Sequence, residues 1–145
     1  KVRDVAEFLD EVGVVPPTRR IDATVCYDDP CHLAHGQGVV DAPRRLLEQI
    51  PGLTLLSHAD PASCCGAAGI YNLTHPEMAS AVLARKLDAL AKVDPDIIAT
   101  GNPGCLLQIA SRLEQAGVPA RTYHMVELVD ASIRGVSLGT DADIG

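Results

Sequence analysis

Two adjacent cysteines, Cys64 and Cys65, followed by Gly66 and then by Ala67-Ala68-Gly69, constrain this chain more than any other feature. Neighbours joined by a trans peptide rarely offer the separation and dihedral that a disulfide needs. On a regular strand their side chains would also point to opposite faces. Both can reach one object only if Gly66 lets the backbone turn. The pair therefore reads as two thiols directed at a common group, with glycines that let the main chain approach it. A metal ion or an iron–sulfur cluster is the first candidate for that group.

Cys26, Cys31 and Cys105 bring the total to five cysteines in 145 residues. That is an odd, irregularly spaced set in a chain long enough to bury an ordinary core without disulfides. The expectation is a cytoplasmic protein whose thiols stay reduced for metal or redox work. A net charge of −7 excludes nucleic acid and anionic membrane as main partners, because both select a basic face. No apolar run approaches the roughly 18 residues of a membrane span, and the start lacks a basic-then-apolar leader. The chain opens on Lys1 rather than Met, so a fragment of a longer protein is expected.

The apolar pattern alternates between helix and strand periods. Helices are predicted over residues 2–14, with Val2, Val5, Ala6, Phe8, Leu9 and Val12 as the apolar stripe, and over 39–50, 103–116 and 125–133. Residues 68–73 suit one or two helical turns. The longest helix opens at His75-Pro76-Glu77, with Met78, Val82, Leu83, Leu87 and Leu90 on its buried face. Strands are predicted at 21–27, 53–56, 96–101 and 120–123. Such alternation implies an α/β fold, a mostly parallel sheet of about four strands flanked by helices. Residues 1–20 read as a helix and connector, 21–134 as the cysteine-rich domain, and 135–145 as a frayed tail.

Cys31 follows the first predicted strand, Cys64-Cys65 the second and Cys105 the third. Ligands of open α/β sheets gather at the carboxyl ends of the strands, so three distant loops can meet there. Gly36-Gln37-Gly38 fails as a dinucleotide fingerprint, since Asp41 stands at the third glycine position. A Cys–His nucleophile at Cys31 leaves the other three thiols unexplained.

Three phrases, Asp29-Pro30-Cys31-His32-Leu33-Ala34-His35-Gly36-Gln37, Cys64-Cys65-Gly66-Ala67-Ala68-Gly69 and Gly101-Asn102-Pro103-Gly104-Cys105-Leu106, together resemble the cysteine-rich CCG module. That module occurs in heterodisulfide reductases, lactate-utilisation proteins and the glycolate oxidase iron–sulfur subunit. The C-terminal module of the last is the nearest likeness, over about residues 1–134. The family pattern ends in Cys-x-x-Cys, and here Asn102 stands at the first of those two positions. The ferredoxin-like part and the other CCG module of that subunit are absent from this sequence.

The resemblance implies an iron–sulfur electron-transfer subunit of a glycolate-type 2-hydroxy-acid oxidoreductase. Electrons would pass from a flavin subunit, which holds the substrate site, to a quinone or other acceptor. Partners would be that flavin subunit and the other domains of the full-length iron–sulfur subunit, with peripheral association at the inner membrane face. Cys31, Cys64, Cys65 and Cys105 match the family's thiolates and are enough for one [4Fe–4S] cluster or one zinc ion. A zinc-stabilised interaction module and a thiol switch joining Cys31 to Cys64 or Cys65 are the alternatives. His35 is a candidate hydrogen-bond donor to the site, and Asn102 could offer its amide to a sulfur or an open metal position. Cys26 alternates with Val25 and Tyr27 and reads as core. His32 reads as a loop residue, and His58, His75 and His124 have no partner at ligand spacing.

Overall fold

A computed structural model describes residues 2–139. Residues 140–145 of the expected frayed tail lie outside the described residues. Four strands, β1 (Ala23–Asp28), β2 (Leu53–Leu56), β3 (Ile97–Thr100) and β4 (Arg121–His124), form one sheet in the order β2-β1-β3-β4. All three pairings are parallel. The α/β reading of the sequence is therefore what the chain adopts.

Burial follows strand position. β3 is buried at every residue and β1 over its last four, as central strands covered on both faces must be. Alternation along β1 sends Val25 and Tyr27 to one side, where they meet Leu46, Leu47 and Ile50 of α2 (Asp41–Glu48) and the turn after it. Met125, Leu128 and Val129 of α6 (Met125–Arg134) complete that layer. Cys26 and Ile98 face the opposite layer, with Leu83, Leu87 and Leu90 of α4 (Pro76–Ala91) and Ile109 of α5 (Pro103–Ala110). The chain leaves β1 in one direction to form β2 and returns past it to form β3. The order reverses between β1 and β3, where a doubly wound sheet opens a crevice.

Three local expectations differ from the structure. The N-terminal helix α1 (Val5–Val12) forms, capped by Asp4, but its apolar stripe is largely uncovered. Val5, Phe8 and Val12 are exposed, and only Ala6 is buried. On α4, Met78 is exposed at 57%, while Lys86 takes a place on the buried face. α5 stops at Ala110, and residues up to Gly117 continue mainly as tight turns. There the Ser111 hydroxyl donates to the Gln108 carbonyl at 2.8 Å, a side-chain bond that competes with helix continuation. The short helix α3 (Tyr71–Thr74) falls close to the expected turns after the glycines.

Candidate functional site

The loops that leave β1, β2 and β3 bring Cys31, Cys64, Cys65 and Cys105 to the carboxyl end of the sheet, beside the reversal point. Cys31 follows Pro30 at the start of a helical segment that becomes a π-helical turn (Leu33–Gln37), closed by Gly38 at φ 70°. That turn, which has no clear periodic signal in the sequence, is a conformation frequent at functional sites. Cys31 is half-buried against Cys64, and burial followed by the nearby Cys64 raises its thiol.

Gly66 supplies the turn that the vicinal cysteines need. Its φ is +88°, and an added Cβ would lie 2.5 Å from the Ala79 carbonyl oxygen. Its own N–H donates to Cys64 Sγ at 3.3 Å. The turn leaves Cys64 half-exposed and drives Cys65 inward to 2% exposure. Cys65 Sγ meets Cys105 Sγ at 3.2 Å. Cys105 rides on the first turn of α5, whose cap is Asn102: its side-chain oxygen accepts the Cys105 N–H at 3.1 Å. All five cysteines are free thiols.

Asn102 thus serves the backbone, and its amide nitrogen lies 2.9 Å from His32 Nε2, tying the third cysteine loop to the first. His32 is exposed, as a surface residue would be, and also makes a contact between loops. His35 Nε2 lies 3.0 Å from the Ala62 carbonyl and ties the first loop to the second. His35 and Asn102 therefore hold the loops that carry the sulfurs. Cys26 is fully buried in the sheet, and burial pushes its thiol up to about 11, in keeping with a core role. Among the other histidines, His124 caps α6 and His75 stacks on Tyr71.

A buried polar layer beneath the cysteines escaped the sequence reading. Asp28 and Asp29, exposed at 1% and 2%, end β1. Asp29 takes a two-pronged ion pair from Arg44 at 2.7 Å and 2.7 Å, and its N–H donates to the Pro61 carbonyl at 3.1 Å. Asp28 accepts from the buried Lys86 at 2.5 Å, and His58 Nε2 stands 3.3 Å away. Folding brings His58 close to Asp28, but neither of its buried ring nitrogens makes a hydrogen bond among the described residues. The run Asp28-Asp29 was the available signal, since adjacent carboxylates at a strand end need cations when buried.

The Cys65–Cys105 pair shares its protons unequally. When Cys65 ionises, the Cys105 thiol 3.2 Å away can donate to it, and this lowers Cys65 to about 6 against the opposing effect of burial. The same bond, then burial, raises Cys105 far above an ordinary thiol. In the metal-free protein, ultraviolet thiolate absorbance is expected to rise in a step near pH 6. Cys105→Ala removes the donor, leaves burial in charge and moves that step above the ordinary thiol value of about 8.5. The stability this thiolate contributes is complete above the unfolded thiol pKa and is lost as pH falls through about 6. A wild-type titration with no thiolate below the ordinary range would contradict the contact.

Four thiols from three loops at one end of the sheet are the donor set that iron–sulfur clusters and zinc both accept. Among the described residues, no three His, Cys, Asp or Glu side chains close on a single point as one ion requires. A cavity of about 340 Å³ lies beside Cys64, lined also by Asp60, Ser63, Val82, Arg85 and Ala89. Ile70, Leu73 and Leu107, on the segments that follow Cys65 and Cys105, are 70%, 78% and 70% exposed. No described helix is long and apolar enough to cross a membrane.

Comparison with known proteins places the sequence in a family. The chain is 35% identical over 134 residues to a fumarate reductase (CoM/CoB) subunit of Methanothermobacter marburgensis, covering 89% of this chain and 27% of the relative. It is 37% identical over 133 residues to a probable glycolate oxidase iron-sulfur subunit of Bacillus subtilis, covering 89% and 30%. Lactate utilization protein A of Oceanobacillus iheyensis is 26% identical over 136 residues, covering 93% and 56%. The chain therefore spans about a quarter to just over half of these relatives. The profile of the CCG cysteine-rich domain matches residues 25–110, which include all five cysteines, and the chain belongs to that family.

Proposed function

We propose that this chain is the cluster-bearing domain of an iron–sulfur subunit in a 2-hydroxy-acid oxidoreductase of the glycolate type. It relays electrons from a flavin subunit toward a quinone or other acceptor. The observation that supports this most is the gathering of Cys31, Cys64, Cys65 and Cys105 from three loops at the sheet's reversal point. The names of the relatives, an iron-sulfur subunit among them, supply the oxidoreductase context.

In this reading the four thiolates hold one [4Fe–4S] cluster, which when bound supplies a one-electron acceptor and donor. The protein's part is position and electrostatics. Gly66 brings its N–H to the Cys64 sulfur, a hydrogen bond of the kind that raises a cluster's potential. His35 and Asn102 fix the loops through Ala62 and His32. The exposed Ile70, Leu73 and Leu107 give this end an apolar surface suited to a protein partner. Work would occur on the cytoplasmic side, at the inner membrane face through the complex.

The test is a redox titration of anaerobically reconstituted protein, followed by EPR. The expected result is a brown protein whose visible absorbance bleaches reversibly with one electron per chain, giving a paramagnetic reduced state. A colourless protein that takes one tight zinc, and melts earlier with a chelator, would overturn electron transfer in favour of a structural module. A metal-free protein that reversibly loses two thiols would favour a switch. The 3.2 Å contact adds Cys65 with Cys105 as a candidate pair for it, beside Cys31 with Cys64.

A further inference from the structure

Lys86 projects from α4 on a face otherwise formed by Leu83, Leu87 and Leu90, and its side chain is 0% exposed. Its ammonium lies 2.5 Å from Asp28 Oδ1 and 3.1 Å from the Pro61 carbonyl oxygen. Asp28 stands just ahead of Cys31, and Pro61 just ahead of Cys64. The same Pro61 carbonyl accepts the Asp29 N–H at 3.1 Å. One buried side chain therefore fastens the roots of two cysteine loops to each other and to α4.

Packing alone does not call for a charge here. A buried ion pair is often replaced by apolar residues of similar volume without loss of stability. The placement of this pair beneath the thiols gives the charge a use. The Asp28 carboxylate ends β1, and the Lys86 ammonium touches both it and the Pro61 carbonyl, so both charges stand at the roots of the loops that carry the thiols. The other ionisable groups beside Asp28 are His58 at 3.3 Å, the adjoining Asp29–Arg44 ion pair and the buried Cys26 thiol. Thr100, the β3 partner of Asp28 in the sheet register, is neutral.

We propose that Lys86 is a positioning residue of the thiolate site, tying the Cys31 loop to the Cys64-Cys65 loop and offsetting the Asp28 carboxylate beneath the sulfurs. The electrostatic half rests on the cluster reading; the loop-tying half does not. An added electron places negative charge on the site, so a buried cation nearby favours the reduced form and a buried anion disfavours it.

Three variants, Lys86→Met, Asp28→Asn and the double variant, test this with two readouts. The first is the midpoint potential of the reconstituted protein. Lys86→Met leaves the carboxylate uncompensated and lowers the potential. Asp28→Asn leaves the ammonium uncompensated and raises it, and the double variant returns toward wild type. General loosening does not produce opposite signs, so single variants that shift the same way, or not at all, overturn the charge role. The second readout is amide exchange in metal-free protein. Faster exchange at the Asp29 N–H and the Cys64–Gly66 turn in Lys86→Met is expected, and wild-type exchange there overturns the tie. A wild type that binds no cluster sinks the proposed function, and the exchange result still decides the role of Lys86. Should Lys86→Met fail to fold, Asp28→Asn decides through the same two readouts.

Discussion

Gly66→Ala is expected to lower stability by about 3 kcal/mol, the sum of a left-handed backbone penalty and an overpacked contact. The glycine sits at φ +88°, and the new methyl would stand 2.5 Å from the Ala79 carbonyl, a backbone atom in the first turns of α4. Neither the turn nor the helix can yield without moving the other. Cys65 is the adjacent residue, so the shift also disturbs its contact with Cys105. Gly69→Ala is the matched control: φ is +69°, but nothing lies within 4 Å of the added carbon. It should cost only the backbone part, about 1–2 kcal/mol. For a domain of this size the first variant lowers the melting temperature by on the order of 10 °C. Equal losses from the two variants would contradict the close approach.

Cys105→Ser is expected to abolish cluster retention while leaving the fold in place, and Cys31→Ser, Cys64→Ser and Cys65→Ser should do the same. A hydroxyl is a poor substitute for a thiolate toward iron, and four sulfurs leave no spare ligand. Cys26→Ala separates the ligand set from the rest. Cys26 lies inside β1 at 0% exposure, packed in the layer that contains Ile98 and Leu83. Its truncation leaves a small cavity at a cost of about 1 kcal/mol and should leave bound iron unchanged. Iron content per folded chain, measured beside circular dichroism, checks both. Loss of iron from Cys26→Ala, or its retention in Cys105→Ser, would redraw the ligand set.

The sheet was legible because three of its strands, β1, β2 and β3, are short, largely apolar runs bounded by Pro, Gly and Asp, with helices at 3.6-residue spacing between them. Val25 to Tyr27 and Ile97 to Ala99 need burial on both sides, which only the centre of a parallel sheet supplies. The meeting of the three cysteine loops was legible from the same order, since each follows a strand. The polar layer was not. Lys86 looks like a solvated residue among leucines until the fold sets Asp28 against it, and His58 comes near Asp28 only when β2 ends beside β1. Contacts between residues so far apart in sequence leave no local period. α1 shows the converse: Val5, Phe8 and Val12 of its stripe stay exposed among the described residues, while Ala6 is buried and Leu9 packs on the core. Periodicity reports an apolar face, not whether a neighbour arrives to bury it.

Iron and acid-labile sulfide per chain, determined after anaerobic reconstitution and gel filtration, test the central claim most directly. About four of each per chain are predicted for the wild type, and none for Cys105→Ser. One zinc and no sulfide, dependent on the same cysteines, would contradict electron transfer.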